Sequence, residues 1–301
     1  MDIHKGLTPV GVKTSVALGY FDGMHRGHGE IINQTLAYAK RMRLRATVFT
    51  FDFSGTRPGE KGRGDLFAKE MKYREMESLG IKLVVEVPFS DIRDMSGKAF
   101  IDKVLGHGCL NAAVVNCGED FRFGKGRNCG ADVMERFSGP RGIRVNVVPF
   151  VVDDGVISTS RIKRLVASGD IPAAARLLGR PYIIDLPAIP KEVGAGINYS
   201  TVSQRLNREL ELPKFGVYAS RTKANGVWLG SVTYIGGRPT KGGDGGVFAD
   251  THVFEAVINP RDGDNVAVEL SRMMRQEEKF SDLSALKEAI IADIARAKMR
   301  M

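Results

Sequence analysis

The stretch Leu18-Gly19-Tyr20-Phe21-Asp22-Gly23-Met24-His25-Arg26-Gly27-His28 constrains this chain more than any other. Val16-Ala17-Leu18 is short, apolar and followed by glycine, as a buried strand is at a turn. Ile32, Leu36 and Ala39 then recur at spacings of four and three, which predicts a helix over about 25–40 with one apolar face. The β-branched and aromatic run Ala46-Thr47-Val48-Phe49-Thr50-Phe51 predicts the next strand. Strand, helix and strand make a β-α-β unit, which implies a parallel sheet and a right-handed crossover. His25 and His28, three apart on the first helical turn, project to one side near backbone N–H groups that have no intrahelical acceptors. Helix dipole, free donors and imidazoles are thereby gathered where a phosphate chain can bind. Phosphoryl transfer needs positioning and charge neutralisation more than a protein nucleophile, so this turn is equipped for it.

The alternation continues. Helices are expected over about 66–79 and 97–105, and strands at 83–87, 112–115 and 145–151. Ser158 or Thr159 can cap a helix reaching Ser168, and a further helix over 171–178 ends at Gly179. This pattern predicts a doubly wound α/β domain with its ligand at the carboxyl ends of the strands. The glycine-rich segment Gly55 to Gly64 reads as a mobile loop, and Asn116 to Arg127 mixes glycine, aromatic and cationic groups at a strand end. After Gly179 the texture changes. Prolines at 187 and 190 and glycines at 194 and 196 suggest a linker, and short strands follow at 216–220, 227–235, 251–257 and 265–270. They predict a small β-barrel closed by a terminal helix, capped by Ser281, with Leu283, Leu286, Ile290, Ile294 and Ala297 on one face. The expected domains are 1–183 and 184–301.

Composition narrows the function classes. With 301 residues, 43% hydrophobic and 26% charged, the chain reads as an ordinary globular protein of two domains. It lacks an apolar run long enough to span a bilayer and a secretory leader, so no membrane partner and a cytoplasmic location are expected. Cys109, Cys117 and Cys129 fit neither a disulfide framework nor a zinc ribbon and are read as thiols. The remaining histidines, His4, His107 and His252, lie far from the pair in sequence, so no metal held by protein ligands alone is expected. A net charge of +9 favours anionic partners, but the basic residues are dispersed and no nucleic-acid motif accompanies them. The sequence leaves the oligomeric state open.

Three segments together carry a resemblance. Gly19 to His28 resembles the H-x-G-H signature of the nucleotidyltransferase superfamily, in the version seen in bacterial bifunctional riboflavin kinase/FAD synthetases. Gly118-Glu119-Asp120-Phe121-Arg122-Phe123-Gly124-Lys125-Gly126 resembles that family's G-E-D-F-x-F-G segment. Ile157-Ser158-Thr159-Ser160-Arg161-Ile162 resembles its I-S-S-T-R-I segment, and Leu178-Gly179-Arg180-Pro181-Tyr182 matches the end of its first domain. The resemblance implies an N-terminal nucleotidyltransferase module that transfers AMP from ATP to FMN, giving FAD and pyrophosphate with Mg2+, and a C-terminal barrel that phosphorylates riboflavin. It assigns His25, His28 and Arg161 as catalytic. Gly19, Phe21, Asp22, Gly23, Gly27, Ser158, Thr159 and Ser160 would bind ATP, and Asn116, Asp120, Phe121, Phe123, Gly124 and Lys125 the flavin and nucleotide.

The barrel half departs from that family. Where the family carries G-F-P-T-A-N, this chain has Asn198-Tyr199-Ser200-Thr201-Val202-Ser203, so Thr201 survives and Ser203 replaces the asparagine. The family's E-T-H appears as Asp250-Thr251-His252, one methylene shorter. Displacement of a catalytic group by about 1 Å can cost about a hundredfold in rate. The expectation is therefore an active FMN adenylyltransferase with a degenerate kinase site at Thr201, Ser203 and Asp250. A fully bifunctional enzyme, a non-catalytic flavin-binding protein and nucleotidyl transfer to another acceptor remain open alternatives.

Overall fold

The computed structural model describes residues 1–53, 64–189, 201–207, 209–237, 246–254, 258, 260–261 and 263–299. The expected loop at 55–64 lies outside them apart from Gly64, as do Asn198, Tyr199 and Ser200. The chain divides into two compact units, residues 1–62 with 69–158, and residues 63–68 with 159–301. Among the described residues no helix is long and apolar enough to cross a membrane.

The first unit is a six-stranded parallel sheet in the order β1-β4-β3-β2-β5-β6. Its strands are β1 (Asp2–Lys5), β2 (Thr14–Leu18), β3 (Arg45–Asp52), β4 (Leu83–Pro88), β5 (Ala112–Gly118) and β6 (Arg144–Val148). All five residues of β2 are buried, as expected for a central strand covered on both faces. The flanking helices are α1 (Arg26–Met42), α2 (Lys69–Leu79), α3 (Phe89–Arg93), α4 (Gly97–Phe100) and α5 (Ala131–Ser138). A wider turn over Ile101–Leu105 continues α4, so the expected 97–105 helix is present with a changed pitch. On α1 the expected apolar face is real: Ile32 and Ala39 are buried, and Leu36 packs against the same core. Strand β1 and helices α3 and α5 were not anticipated. Helix α2 starts at Lys69 rather than Leu66, because Asp65 is taken into a bridge with Leu210 through Asp65 N–H to Glu209 O at 2.7 Å and Glu211 N–H to Asp65 O at 2.7 Å.

The second unit opens with α6 (Thr159–Ser168) and α7 (Ile171–Leu178), the latter capped by Asp170 and ended by Gly179 at φ 76°. Six strands follow: β7 (Tyr182–Ile189), β8 (Thr201–Leu206), β9 (Gly216–Ala224), β10 (Val227–Gly237), β11 (Val247–Val253) and β12 (Asn265–Gln276). They close into an antiparallel barrel in the order β10-β11-β8-β7-β12-β9. Two sequence expectations are corrected here. Residues 182–189 form a barrel strand instead of linker, with Pro187 opposite Asn265, and the strand expected at 251–257 begins earlier, at Val247. The compact units divide after Ser158; within the second, α7 packs on β7 and β12, and Lys214 N–H reaches Val166 O on α6 at 3.2 Å.

Directly opposed residues of an antiparallel ladder share a face. The register therefore sends Ser220 with Ser231, and Thr233 with Thr251, to the same side. These hydroxyls form a buried chain: Ser220 to Ser231 at 2.8 Å, Ser220 to Thr233 at 2.8 Å and Thr233 to Thr251 at 2.9 Å, with Thr222 donating to Ser231 at 2.9 Å. Helix α8 (Leu283–Lys298) lies against the other face of the strands, where Ala297 and Ile294 meet Val217, Val232 and Phe254. Its cap is Asp282, which accepts from the N–H groups of Ser284 and Ala285, each at 2.9 Å, while Ser281 only donates to Asp282.

Candidate active site

The sheet order reverses between β2 and β5, which are neighbours although β3 follows β2 in the chain. In open α/β sheets that is where a crevice opens at the carboxyl ends of the strands. The two segments singled out in the sequence leave those two ends. Residues 19–28 follow Leu18 of β2, and residues 119–126 follow Gly118 of β5. A third reaches the same place: a side chain built on Gly27 would lie 3.8 Å from the carbonyl oxygen of Ile157, the residue before Ser158.

The turn between β2 and α1 is a contorted piece of backbone. Phe21, Gly23 and Met24 have φ of 58°, 80° and 44°, and a single helical turn spans Asp22–Met24. Left-handed backbone at a phenylalanine and a methionine is costly, and such residues concentrate at functional sites. Only at Gly23 does the absence of a Cβ make that conformation easy. The contortion places His25 as the N-cap of α1, with its Nδ1 accepting the N–H of His28 at 3.3 Å. This bond assigns the proton of a neutral His25 to Nε2, leaving that nitrogen as a donor. The two rings stack at a centroid distance of 3.7 Å and an interplanar angle of 15°. Phe21 closes on His28 edge-on at 5.2 Å. A Cβ on Gly27 would sit 3.2 Å from the His25 ring, so a larger residue there would push the stack by a few tenths of an ångström.

The environment keeps both imidazoles neutral. Burial lowers the pKa of His25 from 6.5 to about 4. His28 is held well below its ordinary value by burial first, then by His25 and by the positive charge of Lys72. His28 Nδ1 is buried and has no hydrogen-bond partner among the described residues. A stacked pair of neutral rings at a helix N-terminus is a donor array and suits an anion better than a metal. Among the described residues no group of three or more His, Cys, Asp or Glu converges as a metal site requires.

The other expected site residues fall into distinct places. Asn116 is fully buried: its side-chain N–H groups reach Ser15 Oγ and Val16 O, both at 3.3 Å, and its Oδ1 accepts from Asn146 at 3.0 Å. It ties β5 to β2 and β6. Phe123 is in the core, with its ring 5.3 Å from that of Phe100, and Phe121 is half-buried beside it. Asp120 and Lys125 are exposed on the loop, where Gly124 has φ 76°. Ser158 ends the first unit, and Thr159, Ser160 and Arg161 form the first turn of α6 in the second.

In the barrel, Ser203 on β8 and Asp250 on β11 are direct cross-strand partners, and Ser203 Oγ donates to Asp250 Oδ1 at 2.6 Å. Thr201 stands opposite His252 two residues along the same ladder. The three kinase-site candidates therefore share one face of two paired strands.

Comparison with known proteins gives the same division of labour. The FAD synthetase family model matches residues 9–161 and the riboflavin kinase family model matches residues 178–301. A Bacillus subtilis protein described as bifunctional riboflavin kinase/FMN adenylyltransferase is 30% identical over 292 residues, covering 93% of this chain and 90% of that protein. The chain belongs to this bifunctional riboflavin kinase/FMN adenylyltransferase family. A Pseudomonas fluorescens relative of the same description is 28% identical over 288 residues, covering 93% of this chain and 91% of its own length. A solved structure described as a macrolide-efflux protein from Streptococcus pneumoniae has a TM-score of 0.85 over 99% of both chains at 22% identity, a likeness of fold.

Sequence reading of this family member missed Lys72. The residue lies on α2, is 8% exposed, and donates from Nζ to the carbonyl oxygen of Tyr20 at 3.3 Å. Its neighbours in sequence, Lys69 and Tyr73, gave no sign of a special position. The signal would have been a lysine on the inner side of a helix otherwise rich in charge.

Proposed function

We propose that the first unit transfers AMP from ATP to FMN, releasing pyrophosphate and giving FAD. The observation that carries this reading is the stacked, neutral His25–His28 pair at the N-terminus of α1, set where the sheet order reverses. A phosphate oxygen of FMN attacks the α-phosphorus of ATP, and the bond to the β-phosphate oxygen breaks. The imidazoles and the open N–H groups of α1 donate to the oxygens on which charge develops, without moving a proton themselves. Ser158, Thr159 and Ser160 hold the triphosphate, and Arg161 takes the charge of the leaving pyrophosphate. Gly19 and Gly27 keep the turn close to the phosphates, while Phe21, Asp22 and Gly23 shape it. On the β5 loop, Asp120, Phe121 and Lys125 face the flavin and nucleotide, and Asn116, Phe123 and Gly124 hold that loop in place.

The second unit phosphorylates riboflavin in the same reading, with Thr201 and Asp250 as the surviving site residues. Full-length similarity to bifunctional relatives supports it. One observation favours a second reading, in which kinase activity is lost: the shortened carboxylate of Asp250 is already engaged by Ser203 at 2.6 Å. Purified protein given magnesium and ATP decides both points by chromatography of the flavins. FAD made from FMN supports adenylyl transfer. FMN made from riboflavin supports the bifunctional enzyme, and its absence supports the second reading. No FAD under any condition sinks the primary assignment, and pyrophosphate release screened across other phosphorylated acceptors then finds the true substrate.

A further inference from the structure

Phe21 combines a backbone that disfavours it with a side chain that is fully enclosed. Its φ of 58° is one that glycine or asparagine adopts readily and phenylalanine does not. The side chain is 1% exposed, packed in a core with Ala17, Met24 and Ile32. The resemblance gives Phe21 to ATP, but a ring so enclosed has almost no surface to offer a nucleotide. What it does touch is His28, edge-on, with ring centroids 5.2 Å apart and planes 66° apart. His28 is therefore held by two rings, Phe21 at this angle and His25 stacked at 3.7 Å. Edge-to-face contact favours one orientation as well as one distance, because ring edges and ring faces carry opposite partial charge. Gly19 fits the same account. Its backbone lies outside the left-handed region, so conformation does not require a glycine. Space does: a Cβ on Gly19 would stand 3.0 Å from both Cε2 and Cζ of Phe21. Phe21, His28 and His25 thus form one run of rings, seated on Gly19 at one end and on Gly27 at the other, where a Cβ would stand 3.2 Å from the His25 ring.

We propose that Phe21 is a positioning residue for adenylyl transfer: seated on Gly19, its ring fixes the angle at which the His28 imidazole meets the reacting phosphates, and it does not itself contact ATP. Gly19 serves the site through that ring. The proposal rests on the reading of the first unit as an adenylyl-transfer site with His28 at the phosphates, and it is independent of the acceptor.

The test uses the full chain with Phe21→Leu, which keeps an apolar side chain and removes the ring edge, with Gly19→Ala, and with the two combined. Steady-state FAD formation, thermal unfolding and proton NMR of the histidine rings against pH are measured on each. Phe21→Leu should lower kcat at least about tenfold, with KM for ATP within about twofold of wild type. Gly19→Ala should lower kcat about threefold or more by itself and less than about twofold in the Phe21→Leu background, since no ring is left there to displace. Buried beside His25 and Lys72, His28 keeps its pKa well below 6.5 in the wild type. In Phe21→Leu, which admits water to the imidazole, His28 should take up its proton at a higher pH. Equal kcat in Phe21→Leu and wild type, a rise in KM for ATP that accounts for the whole loss, or a Gly19→Ala loss of the same size in both backgrounds overturns the proposal. So does failure of both Phe21→Leu and Phe21→Met to fold, since the ring would then be a core residue first. Wild-type protein that makes no FAD sinks the adenylyl-transfer reading instead, and the His28 titration then decides alone whether Phe21 holds that ring: an unchanged titration in Phe21→Leu shows that it does not.

Discussion

At the scale of single residues, the histidine pair was legible from its spacing, and its electrical state was not. Three residues apart at a helix start is a sequence property. Neutrality comes first from burial, and at His28 also from the neighbouring His25 and the charge of Lys72, all brought in by folding. The state has a measurable consequence. Above pH 6.5 His25 is neutral whether the chain is folded or not, so it leaves stability unchanged there. Between 6.5 and about 4 the unfolded chain takes up a proton that folded His25 refuses, so stability falls as pH falls through that window, by about 3 kcal/mol in total. Unfolding temperatures measured from pH 8 to pH 4 should be flat and then drop, and His25→Gln should soften the drop. A second expectation concerns Gly27. A methyl 3.2 Å from the His25 ring must displace it, so Gly27→Ala should lower kcat for FAD formation about tenfold or more while costing little stability. Paired turnover and melting measurements check this, and equal losses in both would count against a positioning role. Lys72 escaped the sequence because Lys69 and Lys72 read alike on a charged helix, and only packing buries Lys72 while leaving Lys69 part exposed.

At the scale of elements, the strands and helices with a clean period were legible and those defined by partners were not. β2, α1, β3, β4 and α7 fall where the apolar spacing puts them. β7 does not, because Pro187 disguises a strand that β12 pairs along six residues. Helix α8 shows the same limit. Its apolar stripe was visible, but the stripe also contains Asp293, which is 3% exposed and takes a forked contact from Arg275 at 2.8 and 3.0 Å and another from Arg296 at 2.6 Å. Asp293→Ala leaves the largely buried Arg275 guanidinium without this partner, so it should destabilise the second unit by about 3 kcal/mol. Denaturant unfolding of the single variant and of Asp293→Ala with Arg275→Met tests the cause: the double variant should recover part of the loss. The helix start was misplaced by one residue because Ser281 and Asp282 are both good caps, and only the backbone geometry selects the carboxylate.

At the scale of the whole molecule, the two halves match separate family models, so the adenylyl transfer proposed for the first should be removable alone. His28→Ala should abolish FAD formation and leave riboflavin phosphorylation, where it is present, at wild-type rate; flavin chromatography reads both from one mixture. In the barrel, Thr233→Val cuts the hydroxyl chain between Ser220 and Thr251 and leaves buried groups short of a bond. It should cost about 1–3 kcal/mol of stability without touching FAD formation. The sequence by itself determined the parallel sheet, the barrel, the place of the glycine–histidine turn and the family resemblance, because alternation, glycine placement and motif order are local properties that folding does not alter. The tertiary structure decided what no local pattern contains. It decided that the β2 and β5 loops stand side by side, that Asn116 and Phe123 are spent on the core, that Ser203 meets Asp250, and that a lysine from α2 stands beside two neutral histidines. Each of these depends on which strands pair and which side chains leave water, and burial and proximity exist only once the chain is folded.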